Sequence, residues 1–343
     1  MDLVSLDPRD YPGWDDLLLG NGGGSFFHSS NWANVLNRSY GYRPTYLSGI
    51  EEDRLILLMP IMEISSVLTG NRGISLPFTD HCDPIAPDND SLHELVKAAI
   101  DHGSQAKWAY FEMRTTASLV HEGDSAEFYL THDIELDHSE PTLFSSLGES
   151  NRRNIRKALR DGVSIVIDQT HDSLDAFYRL HCQTRRRHGL PPQPFVFFRN
   201  IRDHVLSKNR GMIITAHYAG DVIASAIFFH FGKKAILKYG ASDGKFLGHR
   251  PNNLVLWEAI RCYQQQGYEN LGLGRTEPDN LGLLRFKRLW GAKESMIRYY
   301  RFDLKKIERG RLLKKSKLLS ELFARTPVGV LRLIGRLFYR HIG

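Results

Sequence analysis

Apolar and polar positions along the chain fall into two similar passages. Tyr46-Leu47-Ser48-Gly49-Ile50, the polar Glu51-Glu52-Asp53, and Arg54 to Met59 read as strand, turn and strand. About 168 residues further on, Met212 to His217, a turn around Gly220 and Val222 to Phe231 repeat the pattern, and a further strand follows over Ala235 to Tyr239. After each hairpin, apolar residues three and four apart predict an amphipathic helix, Ser91 to His102 in one copy and Asn253 to Gln266 in the other. Each helix yields to a short strand, Trp108 to Met113 or Tyr268 to Leu273, offset by about 161 residues. Two copies of hairpin, helix and strand predict an α/β (α+β) chain built from two domains of similar topology.

The length of 343 residues suits two domains, each large enough for its own core. With 42% apolar and 24% charged residues, disordered, collagenous and coiled-coil classes are excluded. The net charge of +6 hides a gradient: −15 over residues 1–145, +7 over 146–210, +5 over 211–304 and +9 over 305–343. These steps divide the chain into an acidic first domain (1–145), a basic second domain (146–304) and a basic tail (305–343), so an anionic partner is expected to meet the C-terminal half. The first seven residues lack the basic and apolar regions of a secretory signal, and the best apolar run, Leu55 to Met62, contains Pro60. A cytoplasmic protein is expected. Cys82, Cys182 and Cys262 make neither a disulfide framework nor a zinc pattern, and no metal is expected.

Several local signatures point one way. They are Asn151-Arg152-Arg153-Asn154-Ile155-Arg156-Lys157-Ala158, Phe177 to Leu180 leading to Arg185-Arg186-Arg187-His188-Gly189, and Arg250-Pro251-Asn252-Asn253-Leu254 running into Trp257 to Ile260. To these are added Leu271-Gly272-Leu273-Gly274-Arg275 and Gly282-Leu283-Leu284-Arg285-Phe286-Lys287-Arg288-Leu289-Trp290-Gly291. Over residues 25 to 303 or so this resembles the FemAB family, especially the branch associated with exosortase and exopolysaccharide clusters. The resemblance implies tandem acetyltransferase-like (GNAT) domains, in agreement with the repeat. It also implies transfer of an aminoacyl group from aminoacyl-tRNA to an amine of a peptidoglycan-type precursor, with no tightly bound cofactor.

When an amine attacks an ester or thioester, negative charge develops on the carbonyl oxygen, and a fixed cation there lowers the barrier. The resemblance gives this role to Lys287, with Phe286 beside the donor's terminal adenosine; spacing alone would leave Lys287 a solvated base among Arg285 and Arg288. Lys245 to Arg250 precedes Pro251 at a helix start, where unpaired N–H groups suit phosphate. A coenzyme A loop would place a second small residue where Arg250 stands after Gly248, a departure that counts against acyl-coenzyme A as donor without removing an anion site. Glu112 is the candidate general base, with substrate or water as the alternative. Adjacent His81 and Cys82 point to opposite faces of an extended segment, against a Cys-His dyad. The loop Pro77 to Pro84 either lines the acceptor cleft, with Asp80 or Asp83 contacting the acceptor, or is a turn anchored by Pro84.

Arg152, Arg153 and Arg156, with the Arg185 to His188 cluster, are candidates for pyrophosphate or the tRNA acceptor stem, or else a solvated face. The resemblance places Trp32 and Arg38, on a helix over Asn31 to Ser39, along the acceptor cleft, although core packing is the better account of the aromatics. Tyr239 is either cleft-lining or core. Arg275 falls within the family pattern and counts among the substrate contacts.

Beyond the resemblance, Thr326-Pro327 starts a helix in which Arg332, Arg336 and Arg340 recur every four residues among apolar side chains. Such a helix either lies on the inner membrane surface or docks onto the acidic first domain. The primary reading is a FemAB-like acyltransferase acting on a cell-envelope precursor. The alternatives are an acyl-coenzyme A-dependent N-acyltransferase and a non-catalytic binder of anionic ligands or membrane; DNA is not an expected partner.

Overall fold

The computed structural model describes residues 2–119, 127–305 and 317–342. Two compact units emerge: residues 1–130 with 295–312 and 338–343, and residues 131–294 with 313–337. The sequence reading divides the chain at 145/146 and 304/305. The difference has a topological cause, since a late strand and the last turn of the last helix return to the first unit.

In the first unit, β1 (Val4–Leu6), α1 (Trp14–Asn21) and α2 (Ser30–Tyr40) precede the hairpin of β2 (Arg43–Glu51) and β3 (Arg54–Ile64). Ser29 caps α2 by accepting from Trp32 N, and Asp88 caps α3 by accepting from Ser91 N. After the hairpin come β4 (Arg72–Ile74), α3 (Asn89–Gln105) and β5 (Tyr110–Thr115); β6 (Glu127–Glu135) then carries the chain into the second unit. Strand β4 pairs with β5 in parallel, while β1–β2, β2–β3 and β3–β4 are antiparallel. The core lies between α3 and the sheet, with Trp108 and Phe111 buried against Leu57, Met59 and Leu95.

The second unit continues with α4 (Glu140–Ser146), α5 (Glu149–Arg160), β7 (Ser164–Asp168), α6 (His171–Arg187) and α7 (Phe195–His204). Then come β8 (Gly211–Tyr218), β9 (Asp221–Phe231), β10 (Lys234–Ser242), α8 (Pro251–Gln265), β11 (Asn270–Gly272) and α9 (Leu281–Arg288). Here too the hairpin β8–β9 and the β9–β10 pair are antiparallel, and β10 pairs with β11 in parallel after the helical crossover through α8. The repeat is therefore real and longer than its hydrophobic pattern shows: β2-β3-β4-α3-β5 matches β8-β9-β10-α8-β11. Strand β4 escapes notice in the sequence because three residues are too few for a period. Each copy gains one antiparallel neighbour, β12 (Lys293–Asp303) beside β5 and β6 beside β11. The chain ends in α10 (Lys317–Arg325) and α11 (Val328–Ile342).

Candidate functional site

The second unit holds a cavity of about 290 Å³. Its wall is made by Thr184, Arg187 and His188 at the end of α6, by inward residues of β9 and β10, by Asn252 at the start of α8, and by Phe286 of α9. Strand β10 shifts register between Leu237 and Tyr239, so its pairing with β9 is interrupted beside the cavity. The charged border is basic: Arg187 Nη1 donates to Ser242 O, and Pro251, which lacks an N–H, opens α8, with Asn253 N donating to Arg250 O at 3.1 Å.

Arg250 sits just before α8 in the left-handed region, φ 59, a conformation rarely adopted by residues other than glycine. The turn holding it is anchored: His249 stacks on Tyr218 at 4.3 Å, and its Nδ1 lies 3.0 Å from Asp161. Lys157 and then His249 hold the Asp161 carboxyl below its usual range. Gly248 and Arg250 are both exposed on this turn.

Phe286 lines the cavity and meets Trp290 edge-on at 6.1 Å. Lys287, the next residue, is buried. Its Nζ donates to Gly274 O at 2.6 Å and to Arg275 O at 3.2 Å. Gly274 has φ 73, so a left-handed residue in the loop after β11 turns two successive carbonyls onto the ammonium. This links the two motif segments physically: Leu271 to Arg275 supplies the carbonyl cradle and Phe286-Lys287 the cation. Arg275 enters through its backbone oxygen.

Sequence reasoning missed His132, which lies buried on β6 with Nε2 3.2 Å from Glu294 Oε1. Burial, and after it the charge of Lys287, pushes the imidazole below its ordinary pKa. Glu294 is also held by Arg288, at 2.6 and 3.0 Å. Strand alternation in Thr131 to Glu135 was the only available signal for His132.

Of the expected site residues Phe286 is on the cavity wall; Lys287, Gly248, Arg250 and Arg275 are not among the residues lining it, and the others are not gathered there either. Arg152, Arg153 and Arg156 lie along α5; Arg153 pairs loosely with Glu149 at 3.9 Å, and Arg156 lies over Phe144. None of the three lines the cavity. Tyr239 packs edge-on against Phe197, Phe198 and Phe229, so its ring belongs to an aromatic cluster with α7.

In the first unit Trp32 is fully buried against Phe26 and Phe27, as a core residue is. Arg38 is exposed in the last turn of α2. Glu112 is bound by Arg114, Nη2 to Oε1 2.7 Å, and Arg114 lies over the Tyr299 ring. Tyr299 in turn donates to Asp80 O at 2.6 Å. Glu112, Arg114, Tyr299 and Asp80 therefore form one cluster. Asp83 serves structure, accepting from Thr115 Oγ1 and Thr116 N. Cys82 does meet a histidine, His28 rather than His81, at 3.4 Å. Both are buried, and burial drives the thiol pKa well up and the imidazole pKa down, the opposite of what a thiolate nucleophile needs. Among the described residues, no group of three or more metal-ligating side chains is placed to hold an ion.

Residues 147–288 match the family model described as an acetyltransferase (GNAT) domain. No curated protein matches the sequence. Among solved structures, FemX is similar with a TM-score of 0.70 at 14% identity, covering 88% of this chain and 97% of its own. L-PGS from Bacillus licheniformis is similar at 0.54 and 14% identity, covering 97% and 99%. A tandem GNAT protein from the clavulanic acid biosynthesis pathway gives 0.56 at 10% identity, covering 90% and 99%. The chain thus has a tandem GNAT-like fold, and residues 147–288 within its second half match the model of an acetyltransferase (GNAT) domain.

Proposed function

We propose that this protein is a FemAB-type transferase of the cytoplasm that moves an aminoacyl group from aminoacyl-tRNA to an amine of a cell-envelope precursor, of peptidoglycan or exopolysaccharide type. The observation that carries the reading is the pairing of Phe286 on the cavity wall with the buried, carbonyl-held Lys287 beside it. In the reaction the acceptor's neutral amine attacks the ester carbonyl, a C–N bond forms, and the tetrahedral oxyanion collapses with loss of the terminal adenosine hydroxylate. The leaving oxygen takes the proton that the ammonium sheds, and the product is an amide. Lys287 would compensate the oxyanion, and Arg187, His188 and the start of α8 would meet the donor's phosphate groups. Glu112 would be the carboxylate that relays this proton from the nitrogen to the leaving oxygen; otherwise water relays it.

Acyl-coenzyme A is the second donor reading, supported by the GNAT domain match and opposed by the sequence pattern, in which Arg250 takes the position of the second small residue of a coenzyme A loop. The test is to incubate the purified protein with charged tRNA or acyl-coenzyme A plus a precursor amine, wild type beside Lys287→Ala and Lys287→Met. Loss of one oxyanion donor predicts a fall on the order of a hundred- to a thousandfold in kcat with the fold retained by circular dichroism. Undiminished transfer in both variants would remove Lys287 from the mechanism; no transfer from either donor would favour a non-catalytic binder.

A further inference from the structure

The side chains of α11 fall into three rows around its axis. At 100° per residue, Leu331, Gly335 and Tyr339 share one side and are buried. Arg332, Arg336 and Arg340 form the next row, all exposed. Val330, Leu333 and Leu337 form the third, and they are 49%, 56% and 55% exposed. Helix α10 adds Leu318, Leu319 and Leu322, at 80%, 45% and 60%. Six large aliphatic side chains on consecutive helices thus stay open to solvent, although α11 has a separate face for packing. That packing is specific: Tyr42 Oη donates to Tyr339 O, and Arg72 donates to His341 O at 2.8 Å. Arg332 lies over the Tyr178 ring at 5.4 Å, so docking onto the fold accounts for one side of the helix and for Arg332, and leaves the apolar row, Arg336 and Arg340 unexplained.

We propose that the apolar row of α10 and α11, bordered by arginines, is a docking surface for an anionic lipid bilayer, on which the helices lie in the plane of the interface. Leucines would enter the acyl boundary while Arg336 and Arg340 reach up to lipid phosphates. A second copy of this chain is a poorer occupant, because mating two such faces would bring arginine rows together within a Debye length. The net +9 of residues 305–343 matches the same partner. No helix among the described residues is long and apolar enough to cross a membrane, so the contact is peripheral. This location is independent of the donor and acceptor proposed above.

The test uses the full chain with sedimenting vesicles of phosphatidylcholine and phosphatidylglycerol in equal parts, and of phosphatidylcholine alone. Binding should be strong on the anionic vesicles, weak on the neutral ones, and reduced by salt. Leu333→Glu with Leu337→Glu should lower partition about thirtyfold or more, since each leucine has roughly half its surface left to bury. Arg336→Glu with Arg340→Glu should lower it about fivefold per base removed on anionic vesicles, with little change on neutral ones. Equal binding by wild type and the leucine pair would overturn the proposal, as would no anionic-vesicle binding by the wild type. A dimer in sedimentation velocity that the leucine pair dissolves, without vesicle binding, would assign the face to self-association instead.

Discussion

Asn151→Ala is expected to destabilise the second unit by about 2–4 kcal/mol, and the value follows from hydrogen bonds on both sides of the amide. Asn151 is 2% exposed. Its Nδ2 donates to Leu289 O at 3.0 Å, and its Oδ1 accepts from Asn253 Nδ2 at 3.1 Å. Leu289 O keeps a second donor, Gly148 N, so losing the first of these bonds costs only about 1 kcal/mol. Losing the second strands the buried Asn253 amide, which adds about 1–3 kcal/mol. Asn253→Ala strands only Asn151 Oδ1, for about 1–3 kcal/mol. In the double variant nothing is stranded between the two sites, so its cost should fall short of the sum by roughly 0.5–3 kcal/mol. Urea denaturation of the four proteins measures the cycle, and hydrogen exchange on α5 and α9 peptides locates the loss. Because Leu289 ends α9, the same variants should also reduce transfer by loosening Phe286 and Lys287. Single costs under about 0.5 kcal/mol, or strict additivity, would refute the network reasoning.

His181 gives a pH prediction. Buried beside Phe177 and Phe198, with Nε2 2.8 Å from Gln193 Oε1, it is pushed down to about 3, by burial first and then by Arg185. The unfolded chain takes up that proton near the ordinary histidine value while the native state does not. Stability from this group is therefore full above about pH 6.5 and lost as pH falls toward 3, by roughly 2–3 kcal/mol at pH 4.5. Denaturant titrations of His181→Phe should show a flatter profile over that window; an unchanged slope would be the contrary result. Gly189→Ala should dislodge α10, since φ is +65 and the new Cβ would stand 2.3 Å from Ser320 O; limited proteolysis within 317–325 should speed up, and wild-type resistance would contradict this. Cys82 should resist maleimide until unfolding, whereas Cys262, only partly covered, should label in the native state, as peptide mapping can show.

Hydrophobic periodicity was enough to reveal the duplicated hairpin, helix and strand, because those elements are long and each buries one face. The helices read from spacing, 91–102 and 253–266, fall inside or within a residue of α3 and α8. Local chemistry marked the α8 start and the Phe286-Lys287 pair for the same reason: proline at a first turn and the family motif are short-range signals. Side-chain roles set by distant partners were not legible. Trp32 carries the same letters whether it lines a cleft or fills a core, and only the rings of Phe26 and Phe27 decide it.

What the sequence alone determined is the order of the longer repeated elements, their apolar faces and the uneven charge, all consequences of neighbouring residues. Tertiary structure decided the rest, because contacts across more than a hundred residues leave no period behind. It set β12 beside β5, brought Asn151 to Asn253, and put His28 rather than His81 against Cys82. It also turned the carbonyls of Gly274 and Arg275 onto Lys287, so that a base which spacing alone would leave in solvent is held inside the protein. On the tail the division is sharpest. Sequence supplied an amphipathic helix with arginines every fourth residue, and the fold, by burying Leu331 and Tyr339, showed which of its faces is left uncovered.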